Sequence, residues 1–106
     1  MNSELHRIGR YELDVRMLRL YYVSNGRRTE VRRLSFREAC ILDMLITAEE
    51  EVVDNQRILN EIWGDNSFYN LNSLYVFMAR LKHYLALDDS LIIQNIRGKG
   101  YRLIRK

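Results

Sequence analysis

Polar and basic side chains recur along one side of an amphipathic segment between residues 70 and 85. The apolar residues of this segment recur at steps of four, three and four, which predicts one buried helical stripe. They are Leu74, Met78, Leu81 and Leu85. The other side carries Asn72, Ser73, Val76, Arg80 and His83, with Phe77 and Lys82 at the border. Asparagine, serine and arginine match base edges in a major groove, and a helix fits that groove, so we interpret the segment as a recognition helix. A merely solvated amphipathic helix shows the same pattern and is the alternative.

Charge is distributed unevenly along the chain. Residues 1–34 hold eight Lys and Arg against four Asp and Glu, residues 35–69 hold two against eight, and residues 70–106 hold seven against two. The net charge of +3 is too modest by itself to indicate a nucleic-acid partner. A chain whose recognition helix is basic and whose middle segment is acidic can nevertheless form one positive surface, with its negative surface on another side of the molecule.

The elements that would position this helix begin with a region of alternating apolar residues. The alternation runs through Ile8, Tyr11, Leu13 and Val15, and then through Leu18, Leu20 and Tyr22. It predicts about four strands of a half-buried antiparallel sheet over residues 5–34, with Arg16, Arg19 and Arg32 exposed. Asn25-Gly26 supplies the positive φ angles that a tight type I′ hairpin requires.

At Ser35 the period changes from two to 3.6 residues. Ser35 and Glu38 form a capping box, which predicts a helix from Ser35 to residue 47 or 48. Val52-Val53 is predicted as a short buried link, followed by a second helix with Asp54 at its N-cap. Gly64 supplies the C-terminal stop of that helix. A polar loop over residues 64–69 then leads into the recognition helix.

The chain ends in two apolar runs around a basic turn that glycines bracket. Residues 91–96 and 101–104 flank Arg97-Gly98-Lys99-Gly100, which predicts a β-hairpin. Three helices followed by a basic hairpin are typical of the winged helix, a helix-turn-helix with a hairpin wing. The predicted fold class is therefore α+β: a winged helix-turn-helix with an N-terminal four-stranded antiparallel sheet, three helices and a C-terminal β-hairpin wing.

Several motifs occur together in one order: Trp63-Gly64, Arg80-Leu81-Lys82 and the wing sequence from Arg97 to Leu103. Over about residues 8–103 the chain resembles the C-terminal DNA-binding effector domain of the OmpR/PhoB class of two-component response regulators. Residues 68–70 and the wing tip resemble the RprY-like branch of that class. The resemblance implies a transcription factor that lays its third helix in the major groove and its wing tip against the adjacent minor groove.

The resemblance also implies partners and boundaries. Besides double-stranded DNA, we expect a receiver domain in the full-length protein, a second copy on DNA, and RNA polymerase. The polymerase-contact loop would consist of Gly64, Asp65, Asn66, Ser67, Phe68 and Tyr69, although aromatics there could instead pin the loop to its own domain. Residues 1–4 would be a linker remnant and residues 5–106 the DNA-binding domain.

Arg80 and Arg97 are the strongest candidate contacts, because the arginine fork matches guanine O6 and N7 or a narrow minor groove. A surface salt bridge is the alternative for Arg80. Lys82, Lys99, Arg102 and Arg105 are expected to contact phosphates, with plain solvation as the alternative for Arg102 and Arg105.

The remaining candidates each have a second interpretation. Asn72 and Ser73 contact bases or cap the helix. Val76 and Phe77 meet a thymine methyl, or Phe77 belongs to the core. His83 donates to a phosphate or faces solvent. The resembling class often has other residues at positions 72, 73, 75 and 77, so the target site cannot be copied from relatives.

Other classes of function are poorly supported by the sequence. No apolar run could cross a bilayer and no secretory signal is visible, so we expect a cytoplasmic location without a membrane partner. Cys40 lies in an apolar helical pattern, which predicts a buried, inert thiol. His6, His83 and Cys40 are too few and too scattered for a metal site or a triad, and the acidic residues cluster in turns rather than in apolar pockets. We therefore expect neither enzyme activity nor a cofactor. A winged helix that binds another protein is the remaining alternative.

Overall fold

The computed structural model describes residues 5–65 and 67–106. Its elements are β1 (Leu5–Ile8), β2 (Tyr11–Asp14), β3 (Arg19–Ser24), β4 (Arg27–Arg33), α1 (Phe36–Thr47), β5 (Val53–Asp54), α2 (Asn55–Ile62), α3 (Phe68–Tyr84), β6 (Leu91–Ile96) and β7 (Gly100–Arg105). One antiparallel sheet has the strand order β1-β2-β3-β4, and a second has the order β5-β7-β6. The predicted winged-helix architecture is confirmed, while the predicted linker over residues 1–4 lies outside the described residues.

The N-terminal sheet forms as the alternation predicts, except in the turn after β2 and at Arg19, which is partly buried rather than exposed. Asn25 and Gly26 have φ angles of 54° and 74°, which close the hairpin between β3 and β4. Val15 and Leu18, predicted on strands, lie instead in the turn between β2 and β3. The carboxylate of Asp14 accepts the Met17 N–H at 2.9 Å, and this side-chain bond ends the strand early.

Helix α1 begins at the predicted capping box. Ser35 Oγ accepts the Glu38 N–H at 3.1 Å, and Glu38 Oε1 accepts the Ser35 N–H at 2.8 Å. These two bonds satisfy backbone donors that the first turn leaves free. The helix ends at Thr47 as predicted. Cys40 is only partly buried, and burial raises the pKa of its thiol.

The prediction of a link at Val52-Val53 was wrong in one respect, because Val53–Asp54 is strand β5. It pairs with β7, with Val53 opposite Tyr101 and Asp54 opposite Gly100. Asp54 occupies the predicted N-cap position of α2, but its side chain makes no capping hydrogen bond. The Asn55 N–H donates instead to the Lys99 carbonyl at 2.8 Å, so β5 and the start of α2 are held by the wing.

A buried carboxylate and a tyrosine anchor the segment after α3 to the N-terminal sheet. Asp88 accepts the Ser90 hydroxyl at 2.6 Å, the Ser90 N–H at 3.1 Å and the Arg10 N–H at 3.0 Å. The bond from the Ser90 hydroxyl, helped by the two backbone donors, lowers the pKa of Asp88. Tyr11 is fully buried, and its hydroxyl accepts the Leu87 N–H at 3.0 Å. The position of α3 relative to the sheet is therefore fixed at its C-terminal end.

Candidate nucleic-acid interface

Helix α3 begins earlier than the sequence predicts. Ser67 is its N-cap, and Ser67 Oγ accepts the Asn70 N–H at 3.3 Å. Asp65 Oδ1 accepts the Asn70 side-chain amide at 2.6 Å and the Ser67 N–H at 3.0 Å, so hydrogen bonds before the helix select this start. The hydrogen bond from the Ser67 N–H is the largest cause of a lowered pKa of Asp65, and the bond from the Asn70 side chain is the second.

Two predictions about this region change as a result. Asn72 and Ser73 lie inside the second turn of α3, so the idea that they cap the helix was wrong. Phe68 and Tyr69 lie in the first turn of α3 rather than in a loop. The predicted polymerase-contact segment is therefore a loop only up to Ser67, and its member Asn66 lies outside the described residues. The Tyr69 side chain is 82% exposed.

The buried and exposed sides of α3 are those that the residue spacing predicts. The predicted apolar stripe is buried, and it consists of Leu74, Met78, Leu81 and Leu85. Opposite this stripe runs an exposed line of residues at helical spacing. We call it the outer line of α3, and it consists of Asn72, Val76, Ala79 and His83. Since these side chains are exposed, neither sheet covers this side of the helix.

One flank of the outer line faces α1 and α2. Phe77 packs edge to face against Trp63, with ring centroids 5.5 Å apart. The Arg80 guanidinium lies 5.2 Å from the centre of the Phe77 ring, and its Nη1 is 3.9 Å from Glu38 Oε2. The Arg80 side chain remains 52% exposed. It is thus held in place by a ring and a buried carboxylate while its charge stays accessible, and the predicted alternative of a surface ion pair is present only as a long contact.

The other flank faces the wing. Lys82 is exposed and lines a shallow cleft together with Leu85 and strand β6. Tyr75, which is not among the predicted site residues, is 46% exposed. It lies close enough to Tyr101 on β7 to raise the pKa of the Tyr101 hydroxyl. Burial is the larger cause of the raised pKa of Tyr101, and Tyr75 is the second. The spacing of three residues between Tyr75 and Asn72 indicates its place beside the outer line, as does the departure from the resembling class at position 75.

The wing tip projects its cations from a tight turn. Gly98 has a φ of 75°, and the Lys99 N–H donates to the Ile96 carbonyl at 2.9 Å. Arg97 and Lys99 are exposed. Arg102 lies on β7 away from the tip, where its Nε donates to Gln94 Oε1 at 2.6 Å. The structure therefore leaves the cations of the tip open to a ligand and ties Arg102 to the neighbouring strand.

Residues 5–65 and 67–106 hold no group of three His, Cys, Asp or Glu side chains arranged to bind a metal ion. In the same ranges no helix is both long enough and apolar enough to span a bilayer.

An exposed helix side with basic flanks, beside a basic hairpin, defines the winged helix-turn-helix class. Residues 29–103 match the family described as "Transcriptional regulatory protein, C terminal", and the chain belongs to that family. It is 31% identical over 102 residues to the transcriptional regulatory protein RprY of Bacteroides fragilis (strain YCH46), covering 96% of this chain and 41% of RprY. The chain thus spans less than half the length of this relative.

Solved structures show the same fold. The C-terminal domain of the nisin resistance regulator NsrR, a lantibiotic response regulator, superposes with a TM-score of 0.68 at 30% identity. The match covers 92% of this chain and 93% of that domain. The DNA-binding domain of RstA from Klebsiella pneumoniae superposes with a TM-score of 0.75 at 23% identity, covering 96% of this chain and 98% of that one. The predicted class of response-regulator effector domain is confirmed.

Proposed function

We propose that this chain binds double-stranded DNA in a sequence-specific manner and regulates transcription as the output domain of a two-component response regulator. The outer line of α3 carries this proposal, because it is exposed between Arg80 on one flank and Lys82 on the other. A major groove about 12 Å wide accepts a helix of this kind. Membership in a family of transcriptional regulatory C-terminal domains supports the same function.

Within this proposal the site residues have different roles. Asn72 and Val76 on the outer line contact base edges, and Arg80 reads a base from the flank. Arg97 enters the minor groove, where a narrow groove attracts arginine. Phosphate contacts come from the exposed Lys82, His83 and Lys99, and from Arg102 through the guanidinium donors other than the Nε that Gln94 accepts. Ser73 and Phe77 lie toward α2, and their base contacts stay predictions.

The test begins with selection of bound sequences from a random duplex pool. We expect enrichment of two half-sites about 10–10.5 base pairs apart, centre to centre, because helix-turn-helix proteins bind as two copies on one side of the duplex. Recovery of single half-sites would contradict the expectation that two copies bind together on DNA. If no sequence were enriched and binding did not depend on salt, the protein-interaction module would be the better interpretation.

Lys99→Ala separates phosphate contact from base contact. We expect it to weaken binding to all duplexes alike and to reduce the slope of log K against log salt concentration by about 0.9, the contribution of one phosphate. Lys106→Ala is the matched control, since it removes the same charge from the far end of β7. Fluorescence anisotropy over a series of salt concentrations measures both slopes. An unchanged slope for Lys99→Ala would mean that Lys99 at the wing tip does not contact a DNA phosphate.

We also propose that RNA polymerase contacts the segment from Gly64 to Tyr69. Tyr69 is an exposed aromatic side chain, the type of residue that protein interfaces favour. We expect Tyr69→Ala to reduce retention of purified RNA polymerase on the selected duplex carrying this chain, without changing DNA affinity. Met17→Ser is the control, because Met17 is an exposed apolar residue outside the helices. Equal retention by both variants would argue against this contact.

We further propose that the full-length protein carries a receiver domain, which the greater length of RprY supports, and that it lies in the cytoplasm. Fractionation of the source cells and immunoblotting test both parts. We expect a cytoplasmic band well above the 12.8 kDa of this chain. A single band at the mass of this chain would contradict the receiver domain. A band in the membrane fraction would contradict the cytoplasmic location.

A further inference from the structure

A half-open cleft of about 340 Å³ lies between the last turn of α3 and strand β4. It is lined by Val31, Arg32, His83, Tyr84, Ala86 and Leu87. This lining combines two nitrogen-bearing side chains, Arg32 and His83, with apolar surface and a tyrosine ring. None of these described lining residues has a carboxylate, so the cleft offers donors suited to an anion.

The sheet register explains why Arg32 reaches α3. The register of β3 and β4 shifts between Leu20 and Tyr21, and beyond this shift Arg32 pairs with Leu20; directly opposed residues of an antiparallel pair point to the same face. Leu20 is fully buried, so this is the face that packs on the helices. At the edge of the sheet the long side chain of Arg32 extends along that face, and its guanidinium carbon lies 5.1 Å from the centre of the Tyr84 ring.

Arg32 differs from two neighbouring arginines in what holds it. Arg28 and Arg19 lie 3.2 and 3.4 Å from the carboxylates of Glu12 and Glu30. Arg28 also lies over a ring, that of Tyr21 at 3.6 Å, but Arg32 lies over the ring of Tyr84 with no carboxylate of the described residues in an ion pair with it. A cation over an aromatic ring keeps its N–H donors for another partner, whereas a cation in an ion pair has already used some of them.

Tyr84 is itself fixed. Its hydroxyl donates to Glu38 Oε2 at 3.1 Å, and Glu38 is buried. The ring therefore gives Arg32 a stable support.

The position of this cleft along α3 indicates what would occupy it. His83 belongs to the outer line, the side of the helix proposed to face DNA. Helix α3 has 17 residues and is therefore about 25 Å long at 1.5 Å per residue. A recognition helix contacts base edges mainly through its N-terminal residues, so a helix of this length extends past the contacted bases. Its last turn then lies beside the sugar-phosphate backbone.

We propose that Arg32 and His83 together bind one backbone phosphate at the C-terminal end of the recognition helix. This inference rests on the proposed DNA-binding function and adds a contact from the N-terminal sheet to it. The planar guanidinium suits two parallel hydrogen bonds to phosphate oxygens, and a ring nitrogen of His83 donates a third. The site fixes the angle at which α3 enters the groove and reads no base.

The experiment compares Arg32→Gln with Arg27→Gln by fluorescence anisotropy on the selected duplex at several salt concentrations. Arg27 is the matched control, because it is an exposed arginine on the same strand, five residues away at the hairpin end. We expect Arg32→Gln to bind about tenfold more weakly and to reduce the salt slope by about 0.9. We expect Arg27→Gln to bind like the unchanged chain. Arg32→Lys should keep the slope, because it keeps the charge.

Ethylation interference on the same duplex provides a second measurement. Ethylation of one particular phosphate near the end of α3 should block DNA binding by the unchanged chain. Ethylation of that phosphate should no longer affect binding by Arg32→Gln, while ethylation of the other contacted phosphates should still block it. If Arg32→Gln kept both the slope and the full interference pattern while the unchanged chain bound DNA in a salt-dependent manner, this inference would be overturned and the proposed function would stand. Absence of salt-dependent binding by the unchanged chain would overturn the proposed function itself. Circular dichroism melting of each variant shows whether it is folded.

Discussion

Arg80→Ala is expected to weaken binding to the selected duplex by about 1–3 kcal/mol, or about 5- to 150-fold, and to relax base preference at one position. The reason is that the guanidinium is already positioned before DNA arrives. It lies over the Phe77 ring and near Glu38 while staying half exposed. A side chain held in this manner loses less conformational freedom on binding than a free one. Repeating the sequence selection with the variant measures the change in preference.

The alternative for Arg80 is a surface ion pair that only stabilises the fold. Arg7→Ala is the control for this alternative, because Arg7 forms an ion pair with Glu12 at 2.8 Å on the N-terminal sheet. Arg7 is largely exposed and the buried Glu12 keeps a second partner in Arg28, so loss of this ion pair is expected to cost about 0–1 kcal/mol of stability. If Arg80→Ala and Arg7→Ala had the same small effect on urea denaturation and neither changed the selected sequence, Arg80 would have no part in recognition.

The features that the sequence predicted correctly depend on neighbours in the chain. The capping box of Ser35 and Glu38 and the Asn25-Gly26 turn each need residues within a few positions, so their chemistry is visible in the sequence. The buried stripe of α3 follows equally from local spacing. The start of α3 was misplaced, because Ser67, Asn72 and Ser73 all have cap-type side chains. The bonds made by Asp65 decide between them.

What the sequence could not predict depends on residues far apart in the chain. Strand β5 has two residues, and it exists only because β7 lies beside it. The contact between Arg32 and Tyr84 joins the N-terminal sheet to the recognition helix across 52 positions of sequence. Arg32 was predicted to be exposed from its place in the alternation, and the exposure is correct. Its orientation toward α3 follows from the pairing of β3 and β4, which alternation alone does not specify.

Gly100→Ala is expected to destabilise the fold by about 2–4 kcal/mol, because strand β5 passes too close to allow a side chain. A Cβ atom at Gly100 would lie 2.0 Å from the carbonyl oxygen of Val53 and 2.8 Å from its carbonyl carbon. These are backbone atoms, so the clash cannot be relieved by a change of rotamer. Strand β5 would have to move away from β7, and the bond from Asn55 to Lys99 at the start of α2 would be strained with it.

Gly98→Ala, two residues away, distinguishes this close approach from a general need for glycine in the wing tip. Apart from its chain neighbours, no heavy atom of the described residues lies within 4 Å of a Cβ at Gly98, so the cost comes from its φ of 75°. A left-handed backbone costs about 1–2 kcal/mol for a residue with a side chain. Urea denaturation should therefore rank Gly100→Ala as the more damaging change. The reverse ranking would mean that β5 is not held against the wing, and that the wing is positioned only by its own hairpin.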